Sequence, residues 1–429
     1  MNFDVLIIGA GPAGLSAAQV ASMHGVTVGV IDNNALPGGQ IWRQGPQHPA
    51  SGRARELLDN LAARNNVVLL AGACVVQAPA AHTLLVEQDG RALTIAYRKL
   101  IVAAGARERF LPFPGWTLPG VTGVGGLQAL IKGGTPVRGE RIVIAGSGPL
   151  LWAAATTARM QGAHIVALVE QACAAAVGRF TGSLIGTPGK LLQAMRMRAG
   201  LWRAPYLLDA YVAEAIGDAR VREVRVSQAG RSRLLACDRL ACAYGLLPNT
   251  GIAAALGCHV VMQGQVEAIA IDEWQATSMP AIFAAGECTG VGGMELSAVE
   301  GKIAALAAIG EPERARPLFA ERTRYRRFAQ HMHDAFELKP HLRTLATPDT
   351  LFCRCEDVPW REMAQRASWR DAKLHTRCGM GPCQGKVCGA AAAFCFGWQS
   401  SGEQIVRPPF SPVRIETLLH STGAADSAA

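Results

Sequence analysis

Apolar residues in this chain come in short runs that end in glycine. Phe3 to Ile8 is the first, Leu15 to Met23 then reads as a helix, and Val26 to Ile31 is a second run closed by Asp32. Runs of this length predict buried strands, so strand, glycine turn, helix and strand form a βαβ unit. The plan repeats: Arg141 to Ala145 is a strand, Gly146-Ser147-Gly148-Pro149-Leu150-Leu151 a turn, a helix starts at Trp152, and His164 to Val169 ends at Glu170. Leu100 to Arg107 and Ala281 to Glu287 are further strands running into small-residue turns, Leu296 to Ala308 is an apolar helix, and Phe319 to Phe336 another helix.

The first glycine turn, Gly9-Ala10-Gly11-Pro12-Ala13-Gly14, carries chemistry. Gly9 makes the tight turn, Gly11 lets backbone approach a pyrophosphate, and Gly14 lets the helix pack on the strand, with the helix N-terminus facing the anion. Asp32, twenty-three residues after Gly9, stands where a carboxylate accepts hydrogen bonds from a ribose diol. Asn33 beside it and Gly39-Gln40 in the following turn complete this side of the expected cofactor site. The second turn departs from the fingerprint, because Leu151 replaces the small residue that permits close helix packing. Gly146 and Gly148 are therefore candidates for NAD(P), for a structurally held adenine nucleotide such as ATP, or for no ligand.

Length and composition narrow the class without naming a ligand. With 429 residues, 50% hydrophobic and only 17% charged, the chain is expected to fold as two or three α/β domains. The formal charge of +9 concentrates in Lys190 to Arg233, nine basic against four acidic residues, and in Glu311 to Arg343, eight against five. Neither stretch interleaves aromatics as RNA-binding segments do, so these read as solvated faces or a surface for a protein partner, not for nucleic acid. No apolar run reaches the roughly eighteen residues of a transmembrane helix, and Asp4 stands where a signal peptide would be basic. The expectation is a cytoplasmic protein, peripheral to the inner membrane only through its electron acceptor.

Twelve cysteines, many in the last eighty residues, point to reduced thiols and a metal site instead of disulfides. Cys353-Arg354-Cys355 is followed, after twenty-seven residues, by Cys383-x4-Cys388. Two close pairs suit the two irons of a [2Fe-2S] centre, one pair to each iron. Zinc is the alternative, although a C-x-C pair is tight for a tetrahedral knuckle. Cys378, five residues before Cys383, is a possible substitute ligand on geometry alone. Cys288 is a lone thiol, read as packing, and no redox-active cysteine pair stands beside the expected flavin.

Several segments carry a resemblance. The strands ending at Gly105 and at Gly286-Glu287 are similar to those of the two-dinucleotide-binding flavoproteins, which implies FAD, with Glu287 in the role of a ribityl-binding carboxylate and Ala104 in place of a threonine. Phe352 to Asp357 with Thr376 to Cys388 resembles the [2Fe-2S] module related to bacterioferritin-associated ferredoxin, and the resemblance implies Cys353, Cys355, Cys383 and Cys388 as ligands, with Cys378 outside the set. Arg377 and Lys386 would offset the negative charge of such a cluster and raise its potential. Arg107 to Val121 resembles the FAD subunit of opine oxidases, hydroxyproline dehydrogenases and bacterial hydrogen cyanide synthase.

The fold expected is therefore α/β, with two Rossmann-like dinucleotide-binding domains, one inserted in the other, plus a small C-terminal four-cysteine [2Fe-2S] domain. The boundaries expected are 1–114 and 246–310 for the FAD domain, 115–245 for the insert, 311–348 for a linker and 349–420 for the cluster domain. The resemblance implies an electron-transfer subunit of a heteromeric amino- or imino-acid dehydrogenase. Its partners would be a D-amino-acid-oxidase-like flavoprotein and a small ferredoxin-like [2Fe-2S] protein, each a separate subunit. A self-sufficient NAD(P)H oxidoreductase and a zinc-bearing scaffold are the rivals, and no residue stands out as a catalytic base.

Overall fold

Strand Asn2–Ile8 sits inside a seven-stranded sheet, with Ile7 opposite Val30 on one side and Ile101 on the other. In this computed structural model residues 1–46, 48–398 and 406–419 are described. They fall into two units: Met1–Arg107, Leu247–Ala329 and 406–419, and Glu108–Leu246 with 330–398.

The sheet of the first unit runs Val67–Ala71, Val28–Asp32, Asn2–Ile8, Arg91–Val102, Thr83–Gln88, Ala73–Ala80, and Ile282–Ala284 also pairs with Arg91–Val102. Its first three strands, Arg91–Val102 and Ile282–Ala284 pair in parallel, as the unbroken apolar runs require, while Ala73–Ala80 and Thr83–Gln88 form an antiparallel extension. Helix Pro12–Ser22 begins three residues before the apolar pattern does, because Pro12 takes the first helical position, where its missing N–H costs nothing. It packs on helix Met294–Ala308, where a Cβ at Gly301 would overlap the carbonyl oxygen of Ala13. The 406–419 segment belongs to this unit: Phe410 N donates to Val76 O at 2.8 Å and Thr417 Oγ1 to Glu87 Oε2 at 2.6 Å. Residues 399–405 and 420 of the expected cluster domain lie outside the described residues.

The second unit holds a five-stranded parallel sheet in the order Tyr206–Leu207, His164–Glu170, Arg141–Ser147, Arg239–Tyr244, Val121–Gly123. A three-stranded antiparallel meander, Ala210–Ile216, Glu223–Gln228 and Arg231–Ala236, accompanies it. The cysteine-bearing segment is part of the same unit. It comprises the hairpin Leu351–Cys353 with Val358–Pro359 and the helices Trp360–Ala364, Trp369–Thr376 and Cys388–Phe396. Phe394, Leu338 and Leu342 share one core with Val143, Val169 and Tyr244, and Trp116 Nε1 donates to Leu351 O at 2.6 Å. Among the described residues no helix is long and apolar enough to cross a membrane.

Candidate nucleotide cradle and thiol cluster

Two glycines of the first turn are fixed by close approach. Gly9 has φ +106°, and a Cβ there would overlap Ala103 O; a Cβ at Gly14 would overlap Gly9 O. Gly11, just before helix Pro12–Ser22, differs, because its Cβ would meet nothing nearer than Gly39 Cα at 3.9 Å. No side chain lies over it, which is what approach to a pyrophosphate needs, and Ala13 and Gly14 follow in the first helical turn. Asp32 is buried and staples this turn, accepting from Ala10 N at 2.6 Å through Oδ2 and from Asn34 N and Nδ2 at 2.7 Å through Oδ1. Oδ2, with one of these bonds, keeps a second lone pair for a ribose hydroxyl. Asn33 and Gln40 are exposed; Arg43 donates to Gln40 Oε1 and to Asn34 Oδ1.

Two further turns belong to the same unit. Ala104 O accepts from Asn249 Nδ2 and Gly105 O from Asn249 N, both at 3.0 Å, and Arg107 donates to Pro248 O and Asn249 Oδ1 at 3.2 Å. Gly286 has φ +82°, and a Cβ there would lie 2.8 Å from that of Ala13. Burial pushes the Glu287 carboxyl up, opposed by a hydrogen bond from Gly293 N. Glu300 escaped sequence reasoning: a buried acid inside an apolar helix, it accepts from Gly286 N at 3.2 Å and pairs with Arg326 at 3.0 Å. A charge interrupting an apolar run was the available signal. Cys288 is fully buried, its thiol pushed up to about 12 by burial, as packing implies.

In the second unit Gly146 has φ +133° and Gly148 φ +97°. Glu170 is buried and accepts from Gly148 N at 2.8 Å and Ala172 N at 2.9 Å; burial raises its pKa to about 7. Leu151 is fully buried against Ile142, Ile144 and Leu168, so the third position of this turn is filled by a core side chain.

The thiols gather, but in an order that spacing alone does not suggest. Cys353, Cys378 and Cys388 are all buried, with sulfurs within 4.8 Å of one another. Cys355, exposed, hydrogen-bonds with half-buried Cys383. Both cysteines of C-x-C thus touch cysteines of the later loop, Cys353 meeting Cys378 and Cys388 and Cys355 meeting Cys383, while Cys378 and Cys388 also touch each other. A Cβ at Gly381 would clash with Cys355, and one at Gly379 would lie 2.6 Å from the Trp369 ring, so these glycines let the loop fold over the hairpin. Hydrogen bonds from the Cys378 and Cys388 thiols hold Cys353 far below the ordinary thiol range, and the same sharing pushes Cys388 up to about 12. A soft cation would relieve that proton sharing, since metal binding deprotonates thiols. Arg377 Nε donates to Glu356 at 2.9 Å, so its charge is already partly met, while Lys386 is exposed.

Residues 3–305 match the family described as pyridine nucleotide-disulphide oxidoreductase. The chain belongs to that family. Like this family, it is a flavin-dependent oxidoreductase, and FAD is the cofactor that fits the Gly9–Asp32 cradle. The chain is 33% identical to the A subunit of opine oxidase from Rhizobium meliloti strain 1021, over 96% of its own length and 97% of the relative's. It is 31% identical to hydrogen cyanide synthase subunit HcnB of Pseudomonas aeruginosa, over 90% of this chain and 91% of that one. The crystal structure of L-proline dehydrogenase from P. horikoshii superposes with a TM-score of 0.65 at 17% identity, covering 97% of this chain and 79% of the other, a likeness of fold.

Proposed function

We propose that this member of the pyridine nucleotide-disulphide oxidoreductase family is the electron-relaying flavo-iron–sulfur subunit of a heteromeric amino- or imino-acid dehydrogenase. The observation that carries the reading is the presence of a dinucleotide cradle, three clustered thiols and a second thiol pair, Cys355 with Cys383, on one chain whose relatives are named as subunits of an opine oxidase and a hydrogen cyanide synthase. A flavin exchanges electrons in pairs with an organic donor and a [2Fe-2S] cluster passes them singly, so together they convert one mode into the other.

Gly9, Gly11 and Gly14 present backbone to the pyrophosphate, Asp32 fixes the ribose, and Ala104, Gly105, Gly286 and Glu287 border the remainder of FAD. Of the thiols, Cys353, Cys355, Cys383 and Cys388 are the ligand set. The contacts favour crossed pairs, Cys353 with Cys388 and Cys355 with Cys383, because one iron already carrying two bridging sulfides takes two thiolates. Cys378 then stands beside the inner pair as a surplus thiol. The substrate is oxidised on a partner chain resembling D-amino-acid oxidases, and a small ferredoxin-like protein is a second candidate partner.

Anaerobic purification with analysis of FAD, iron and acid-labile sulfide tests this directly. Roughly two irons and two sulfides per chain are expected for one [2Fe-2S] centre; zinc without sulfide would replace the relay with a structural site. Cys388→Ser should abolish or strongly alter the electron paramagnetic resonance signal and Cys378→Ser should leave its g-values in place. The opposite result would hand the ligand role to Cys378. Co-purification of the native complex, then assay with hydroxyproline, opines and glycine against an artificial acceptor, identifies the substrate.

A further inference from the structure

The second glycine turn is already covered by the chain itself. Residues 336–339, immediately after helix Phe319–Ala335, lie across the carboxyl ends of strands Arg141–Ser147 and His164–Glu170, within the same unit. Ser147 Oγ donates to Phe336 O at 3.0 Å, Gln171 Nε2 donates to Glu337 O at 3.0 Å, and Lys339 N donates to Gln171 Oε1 at 3.3 Å. Gln171, almost fully buried, also donates to Ser147 Oγ at 3.0 Å, which ties the glycine turn and the strand end into one network. The Phe336 ring is the nearest group to the space a Cβ on Gly148 would enter, at 3.9 Å, and it packs edge-on to Phe180 with centroids 5.2 Å apart. Leu338 is buried in the sheet's core, and Lys339 pairs with Asp209.

In doubly wound sheets a dinucleotide binds across the carboxyl ends of the strands, its pyrophosphate on the glycine turn and its ribose at the acid ending the second strand. Those places here are the Gly146–Leu151 turn and Glu170. The polar groups that would meet a nucleotide's phosphates and ribose, Ser147 Oγ and the Gln171 amide, are spent on backbone carbonyls and an amide of the 336–339 segment. The Glu170 staple is not the difference, since Asp32 staples the first turn in the same way.

We propose that residues 336–339 are a built-in occupant of the inserted domain's nucleotide crevice, closing that domain to NAD(P). The residues present there do not fit a nicotinamide dinucleotide without displacing a segment held by backbone hydrogen bonds and a buried leucine. Resting on the relay reading, the consequence is a place in the reaction sequence: electrons reach this chain from a dehydrogenation on a partner, not from a nicotinamide bound in its own second Rossmann domain.

The test uses the full chain loaded with FAD, so that the first cradle is filled. NADH, NADPH and ATP are titrated calorimetrically to about 1 mM, the affinity range where a specific site begins to be distinguished from none. Hydrogen exchange of residues 146–151 and 336–339 is followed in parallel. The expected result is no heat and no added protection of 146–151 with any nucleotide. The double variant Phe336→Ala/Lys339→Ala, which leaves both glycine turns intact, should gain at least tenfold in affinity for one of them with protection of 146–151. Binding by the native chain with protection of 146–151 overturns the proposal, and so does a folded, FAD-retaining double variant that still binds nothing. Should that variant fail to fold, the native measurement alone still decides: no binding supports the closure, and binding with protection of 146–151 overturns it. Nucleotide binding reads the crevice and iron analysis reads the thiols, so the two readings fail separately.

Discussion

The two glycine turns are built on one plan and end in opposite conditions. Each follows a buried parallel strand, each has its first glycine at a φ that only glycine adopts readily, and each is stapled by the acid at the end of the next strand. At the third position Gly14 brings helix and strand into contact, whereas Leu151 fills the corresponding gap with a core side chain. Gly11 and Gly148 each have one neighbour 3.9 Å from the place of a Cβ, but at Gly11 it is the backbone of Gly39 and at Gly148 it is the ring of Phe336 from a distant segment. A Rossmann turn thus serves as a ligand cradle or as an ordinary packing element, and what covers the turn decides between them more than the glycines do.

Substitution at the third position should break this comparison with the largest effect. Gly14→Val places a Cβ onto the Gly9 carbonyl and is expected to abolish FAD retention with a loss of about 3 kcal/mol, read from flavin absorbance and chemical unfolding. Leu151→Ala opens a cavity in a fully buried cluster and should cost about 2–5 kcal/mol while leaving FAD content unchanged. Loss of FAD from Leu151→Ala, or full retention in Gly14→Val, would erase the distinction between cradle and packing turn.

The staple of the second turn responds to pH. Burial raises Glu170 from 4.5 to about 7, so between those values the native state holds a proton that the unfolded chain has released. Stability contributed by the neutral acid is therefore full below about 4.5 and lost as pH rises to about 7, a change on the order of 3 kcal/mol. Calorimetric melting of the native protein should accordingly fall between pH 5 and pH 8, and Glu170→Gln should flatten the profile. A native melting temperature that climbs over that interval would contradict the assigned burial.

How much of this was legible beforehand follows from the range of the interactions. The strands Asn2–Ile8 and His164–Glu170 and both glycine turns came directly from apolar runs and glycine positions, because their determinants are local. The Leu151 departure was legible too. The covering segment was not, since Phe336 lies 189 residues from the Ser147 it contacts and its hydrogen bonds use backbone carbonyls, which no residue type advertises. The thiol contacts were not legible for a similar reason. Proximity along the chain says nothing of the contacts across it, which the loop folded by Gly379 and Gly381 makes between Cys383 and Cys355 and among Cys353, Cys378 and Cys388. Glu300 left a trace, a charge inside an apolar run, but its pairing with Arg326 did not, because an ion pair spanning two helices has no periodic signal.

The smallest effect distinguishes the same two regions through their single thiols. Cys173, at the N-cap of helix Ala174–Ser183 and three residues beyond Glu170, is held below the ordinary thiol range chiefly by the helix N–H of Ala176 and in part by the charge of Lys339 in the covering segment. Cys288, beside Glu287 in the cradle unit, is fully buried and pushed up to about 12. Since the thiolate is the nucleophile, iodoacetamide at pH 8 should alkylate Cys173 at least about a hundredfold faster than Cys288, as followed by peptide mass spectrometry. Lys339→Ala should slow Cys173 by a small factor, about twofold, because a partly solvated charge is screened at this range. An unchanged rate would place Lys339 away from Cys173 and loosen the covering segment's hold on that side of the crevice, whereas a slowed rate fixes the segment where its hydrogen bonds put it.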